Sequence, residues 1–253
     1  MQRYRLSIVV AVGLVALVAI GVLVGAGSSN SQAEESQPLL QMPDFPPTPT
    51  IPPQPASVAR LQSGATLFSD SFDTADSLKN WQIVDVQQAL PGEESVWKVV
   101  DGRLLQDRTA RAYNPDFRDT MAITGSPEWT NYTISSKVYD AASATLGLVV
   151  RRQGDSFYRF RMFADGTSGD QKLVLEKVVG GVATELASSG GPGYAHNRWY
   201  TIAVSVSGPQ IQATIDGALV LQATDSALTR GQAGLTTIAF GAVNFDDVMV
   251  TTP

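Results

Sequence analysis

The chain of 253 residues contains no cysteine. That excludes disulfides, thiolate nucleophiles, cysteine-ligated zinc and a lipid-modified cysteine, so the fold must rest on its core alone. Histidine occurs once, as His196, which excludes a multi-histidine metal site. A lone histidine beside Ser188 does not make a catalytic triad. Basic residues are missing between Arg5 and Arg60. With Arg3, Arg5 and Arg60 set aside from the 18 Lys+Arg, and Glu34, Glu35 and Asp44 from the 24 Asp+Glu, residues 65–253 hold 15 basic and 21 acidic side chains. This acidic balance excludes a duplex nucleic-acid binder, which needs a basic face to neutralise phosphates.

What is there begins with an apolar run. Leu6 to Ala26 spans 21 residues with Ser7 as its one polar side chain. As a helix it would reach roughly 31 Å, the hydrocarbon thickness of a bilayer. Arg3 and Arg5 precede it, so the positive-inside bias keeps the N-terminus in the cytoplasm and sends the rest out. Two readings stand for residues 1–27: an uncleaved membrane anchor, or a signal peptide cut after Val24-Gly25-Ala26. Export follows from both. Residues 28–64 are polar and proline-rich, with eight of the 14 prolines between Pro38 and Pro55. Proline fixes φ and lacks a donor, so this stretch joins neither helix nor sheet. It reads as a disordered, semi-rigid spacer of about 3.1 Å per residue.

Residues 65–253 form one domain of almost pure β pattern. Tyr200, Ile202, Val204 and Val206 share one phase of a period-2 run, with Trp199, Thr201, Ala203 and Ser205 on the other. Leu146, Leu148 and Val150 repeat it, as do Tyr158, Phe160 and Met162, and Ile211, Ala213 and Ile215. Asp101-Gly102, Gly180-Gly181 and Asp216-Gly217 divide such runs. Two-residue loops of this kind supply the positive φ that type I′ hairpins need. Roughly twelve to fourteen antiparallel strands follow, with one short helical turn at Asp76–Asn80, and they predict an all-β two-sheet jelly-roll sandwich.

The string Gly147-Leu-Val-Val-Arg-Arg-Gln-Gly-Asp-Ser-Phe-Tyr-Arg-Phe-Arg161 resembles the central strands of concanavalin A-like, laminin-G-like jelly rolls. Asn197-Arg-Trp-Tyr-Thr-Ile202, Ile215-Asp-Gly217, Arg230-Gly-Gln-Ala-Gly-Leu235 and Asn244-Phe-Asp-Asp-Val-Met-Val250 follow in that superfamily's order, after Leu67-Phe-Ser-Asp-Ser-Phe72 and Trp81. The resemblance covers about residues 65–251. It implies a fold shared by lectins, carbohydrate-binding modules, protein-binding laminin-G domains and glucanases, so it does not decide function. The glucanases carry Glu-x-Asp-x-x-Glu on one strand, which sets nucleophile and general acid on one face. The glutamates here, Glu93, Glu94, Glu128, Glu176 and Glu185, begin no such motif.

Several candidate sites remain. Arg151, Arg159 and Arg161 fall out of the apolar phase of their strands, as do Lys137 and Tyr139. With Glu176 and Trp199 they are expected to line one sheet face, able to hydrogen-bond hydroxyls and stack on a sugar. The same set also fits a solvated face laced with cross-strand ion pairs. Pairing of the first and last strands would bring Asp70 and Asp73 toward Asp246 and Asp247 as a calcium site; otherwise these acids are separately solvated. The loop from Gly190 to Asn197 offers Tyr194 and His196 either to a partner or to the core. Trp81, Trp97 and Trp129 read as core. The sequence favours a membrane-tethered, extracytoplasmic, non-catalytic binding module for a glycan or an envelope protein. A glycoside hydrolase with an unrecognised carboxylate pair and a structural subunit of an envelope complex are the alternatives.

Overall fold

The computed structural model describes residues 51–52, 64–109, 119–166, 172–239 and 241–253. The apolar run Leu6 to Ala26 and most of the proline-rich stretch lie outside the described residues. No helix among the described residues is long and apolar enough to cross a membrane.

The described residues contain fifteen strands and one 3-10 turn, Ala75–Asn80. In chain order the strands are β1 (Thr66–Asp70), β2 (Gln82–Asp85), β3 (Val96–Val100), β4 (Arg103–Arg108), β5 (Thr120–Thr124), β6 (Tyr132–Asp140), β7 (Thr145–Gln153) and β8 (Ser156–Phe163). They continue with β9 (Leu173–Val179), β10 (Val182–Ser189), β11 (Arg198–Ser207), β12 (Gln210–Ile215), β13 (Ala218–Thr224), β14 (Gln232–Ile238) and β15 (Val243–Thr251). They form two antiparallel sheets. One has eight strands in the order β13-β12-β11-β6-β15-β4-β3, with β1 added on β15; the other has seven, in the order β10-β9-β8-β7-β14-β5-β2.

The expected hairpins are in place. Asp101-Gly102 joins β3 to β4, Gly180-Gly181 joins β9 to β10, and Asp216-Gly217 joins β12 to β13. All six turn residues have positive φ, from 50° to 81°. This is the backbone that a two-residue hairpin demands and that most side chains avoid.

The alternating apolar residues meet between the sheets. Leu104, Ile134, Val138, Ile202, Val204 and Phe245 from the eight-stranded sheet pack with Leu146, Leu148, Val150, Tyr158, Phe160 and Leu235 from the other. Trp81 and Trp97 are buried in the same core, and Trp129 packs against it. Burying each large side chain contributes about 1.5–3 kcal/mol. A second apolar cluster lies on the opposite face of the seven-stranded sheet: Met121, Ile123, Val149, Phe157 and Val178. Val149 is fully buried although it breaks phase with Leu148 and Val150. The central strand β7 is thus buried on both faces, which accounts for its continuous apolar run.

Candidate functional site

The out-of-phase residues of β8 and β9 face away from the core, on the outer surface of the seven-stranded sheet. Arg159 and Glu176 are direct cross-strand partners. Arg159 Nε donates to Glu176 Oε2 at 2.7 Å, and its Nη1 donates to Asp119 Oδ2 at 2.5 Å. Arg161 Nη2 donates to the remaining Glu176 oxygen at 2.9 Å. One guanidinium therefore bridges two carboxylates, and one carboxylate bridges two guanidinium groups. All four side chains are largely withdrawn from water. Burial opposes the charge on Arg159, but Asp119 and Glu176 outweigh it and hold the guanidinium above its ordinary pKa. Burial likewise works against the Glu176 carboxylate, and the two arginines overcome it and hold its pKa down.

The neighbouring strands keep this surface smooth. Opposite Arg161 on β7 is Gly147, where a Cβ would sit 2.2 Å from the Phe160 carbonyl oxygen. Opposite Val149 on β14 is Gly234, where a Cβ would sit 2.5 Å from Ile123 Cδ1. Three polar atoms on this face are buried without a hydrogen-bond partner: Asp119 Oδ1, Arg161 Nε and Thr236 Oγ1. Such atoms cost free energy unless something satisfies them. At the rim, the Arg161 guanidinium lies over the Phe163 ring, 5.3 Å from its centroid. Asp119, Phe163 and Thr236 escaped the sequence reading. Phe163 was within its reach, because it continues the phase of Arg159 and Arg161.

The structure does not bring the seven expected residues together on one face. Arg151 belongs to neither sheet surface. A bulge follows Val150, and Arg151 has a positive φ of 52°. Its guanidinium donates to the Thr130 and Leu228 carbonyls, and its backbone N–H donates to Tyr132 Oη at 2.6 Å. It is a fully buried clamp between loops, and burial lowers its pKa. Lys137, Tyr139 and Trp199 lie on the outer face of the other sheet, across the sandwich from Arg159. Lys137 pairs with Asp247 at 2.9 Å. Tyr139 and Trp199 are direct cross-strand partners with ring centroids 5.3 Å apart. Alternation identifies residues outside the core, but it does not say which of two sheets carries them.

The first and last strands do pair, with Asp70 opposite Val248. The carboxylates nevertheless do not converge. Asp70 Oδ1 accepts the Phe72 N–H and its Oδ2 accepts the Trp81 indole N–H, while Asp73 accepts the Ser71 hydroxyl. Asp247 is held by Lys137. Among the described residues no group of three or more His, Asp or Glu side chains could hold a metal ion. Asp246 is 5% exposed, and burial, reinforced by the adjacent Asp247, pushes its pKa up to about 6.

Tyr194 turns inward, its hydroxyl 2.7 Å from Asp140 Oδ2 and 2.6 Å from the Ala144 carbonyl. His196 packs edge-on against the Tyr194 ring and lies 3.1 Å from Ser143 Oγ.

The arrangement is a jelly-roll lectin-like sandwich, and comparison with known proteins agrees. A carbohydrate-binding module, CBM66 from Bacillus subtilis, superposes with a TM-score of 0.53 at 17% identity, over 68% of this chain and 96% of that one. A Bacillus subtilis protein of unknown function with a galectin-like fold gives a TM-score of 0.56 at 13% identity, over 75% and 96%. A GlcNAcα1-4Gal releasing endo-β-galactosidase from Clostridium perfringens gives 0.52 at 11% identity, over 81% and 66%. At such identities the likeness concerns the fold. No curated protein matches the chain. Residues 105–253 match the family described as the C-terminal lectin domain of galactocerebrosidase, and the chain belongs to that family.

Proposed function

We propose that the domain is a non-catalytic glycan-binding module whose ligand seats on the outer face of the seven-stranded sheet, at Arg161, Phe163 and Glu176. The observation that carries this reading is the ordered arginine–carboxylate lattice with Arg161 at its rim. A flat aromatic ring beneath a guanidinium suits a sugar's mixed surface of C–H groups and hydroxyls. Membership of a lectin-domain family supports the ligand class. Turnover finds no support in this lattice. A glycosidase needs a carboxylic acid whose pKa is raised, and the Glu176 pKa is lowered by its arginines. The proposal extends to placement: Leu6 to Ala26 holds the protein in the cytoplasmic membrane, and the proline-rich stretch carries the domain outside it.

A glycan array probed with residues 49–253 tests this. Specific binding without product release is expected, with affinity falling roughly tenfold or more in Arg161→Ala, the loss of a charged hydrogen bond. Product release would favour the hydrolase alternative. No glycan bound, with the domain folded, would overturn the proposal.

A further inference from the structure

The outer face of the eight-stranded sheet holds a row of residues that ought to be wet. Trp199 on β11, Tyr139 on β6 and Asn244 on β15 are successive cross-strand partners. All three are out of phase with the core, yet they are only 8%, 5% and 4% exposed. Thr201, on the same face two residues along β11, is exposed, and Lys137 opposite it is half-buried. Something covers the aromatic end of the row. A segment of the same chain touches it: Trp199 Nε1 donates to the Pro52 carbonyl oxygen at 3.3 Å, across 147 residues of sequence. Ile51, just before it, is half-buried.

We propose that Trp199 and Tyr139 form a docking platform for the chain's own proline segment around Ile51-Pro52, which fastens the spacer to the domain. The chemistry of the two partners is matched. Pro52 and Pro53 lack N–H groups, so this segment is a poor strand for extending a sheet and offers carbonyl oxygens in excess of donors. The indole N–H is a donor with no acceptor capacity, and it projects from a flat apolar ring. Aromatic surfaces with such a donor are the general solution for holding polyproline II, whose extended backbone is largely pre-ordered and loses little entropy on binding. Being covalently attached, the segment meets the platform at high effective concentration, so a single hydrogen bond and modest contact suffice. Tyr139 is braced for this role by its own hydroxyl, which donates to Asn197 Oδ1 at 3.1 Å. The eight-stranded sheet's outer face is then committed to the spacer, and Trp199 is not a sugar platform. This assignment stands whether or not the other face binds glycan.

The absence of native cysteine permits a direct test in the full chain. Single cysteines at Gln54 and Thr201 carry spin labels, and the distance distribution between them is measured. One narrow, short distance is expected. In Trp199→Ala, and separately in a Pro52→Gly/Pro53→Gly chain, the docked-to-free ratio should fall roughly tenfold, the factor for losing a hydrogen bond and the apolar contact beneath it. A melting curve checks that Trp199→Ala still folds. The proline variant leaves the domain intact and decides alone if it does not. A broad distribution in the parent chain, or a narrow one that persists in a folded variant, overturns the proposal.

Discussion

Arg159 and Asp119 are 40 residues apart in sequence and joined by a 2.5 Å ion pair, Arg159 from β8 and Asp119 from the residue just before β5. With Glu176 on the other side of the guanidinium, the arginine holds two buried carboxylates at once. Removing it leaves Asp119 without its cation and Glu176 with Arg161 alone. Arg159→Ala should therefore destabilise the domain by about 3–5 kcal/mol. Chemical denaturation of the variant beside Arg161→Ala checks this. Arg161→Ala should cost clearly less, because Glu176 keeps its Arg159 partner.

Asp246 gives stability a pH dependence of its own. Its folded pKa of about 6 stands above the ordinary 3.8. A carboxyl raised on folding stabilises the fold when protonated, and that contribution is lost as pH rises from about 4 through about 6. The shift corresponds to roughly 3 kcal/mol. Asp246→Asn should raise the melting temperature at pH 7.5 and flatten the stability profile between pH 4 and 6. An unchanged profile would show that Asp246 titrates normally.

Glu176 acts with the opposite sign. Its pKa is lowered on folding, so its contribution is present at neutral pH and disappears as the medium is acidified below the ordinary glutamate value. In Asp246→Asn, where the first effect is removed, acid unfolding should begin near pH 4. Glu176→Gln in that background should start from lower stability and show a shallower acid limb.

Tyr132 joins two loops through one hydroxyl. It accepts the Arg151 backbone N–H at 2.6 Å and lies 3.2 Å from the Gly231 and Gln232 carbonyls. Burial pushes its pKa well above that of free tyrosine, so it stays protonated and able to donate. Tyr132→Phe keeps the ring and orphans these groups, and it should cost about 1–3 kcal/mol in thermal unfolding.

Gly147 tests backbone approach rather than chemistry. A Cβ there would meet the Phe160 carbonyl at 2.2 Å and Thr236 Cγ2 at 3.0 Å. Gly147→Ala should destabilise by as much as a core truncation such as Leu148→Ala, about 2–5 kcal/mol. Comparable stability of Gly147→Ala and the parent chain would mean that β7 and β8 separate at little cost.

The strands and hairpins were legible because each is a local statement. Asp101-Gly102 and Asp216-Gly217 specify their turns with the residues at the turn, and period-2 alternation specifies a core face. The lattice was only half legible. Arg159, Arg161 and Glu176 could be found by phase, but Asp119 reaches Arg159 from the loop just before β5. Counting by twos failed at Arg151, where a bulge rotates the chain out of register after Val150. It failed differently for Lys137, Tyr139 and Trp199, since a two-sheet fold has two outer faces. The half-buried contact at Pro52 had no sequence signal beyond the prolines themselves.

The pairing of β1 with β15 sets an order on assembly. The Thr252 N–H donates to the Ala65 carbonyl at 3.0 Å, and the Ala65 N–H returns the bond to Thr252 Oγ1 at 3.0 Å, across a separation of 187 residues. Among the described residues β1 pairs with no strand but β15. During synthesis β1 is the first of the fifteen strands to emerge and β15 the last. Of the described strands, the one made earliest is thus kept waiting longest for its partner, and the sandwich can be sealed only after β15 has emerged.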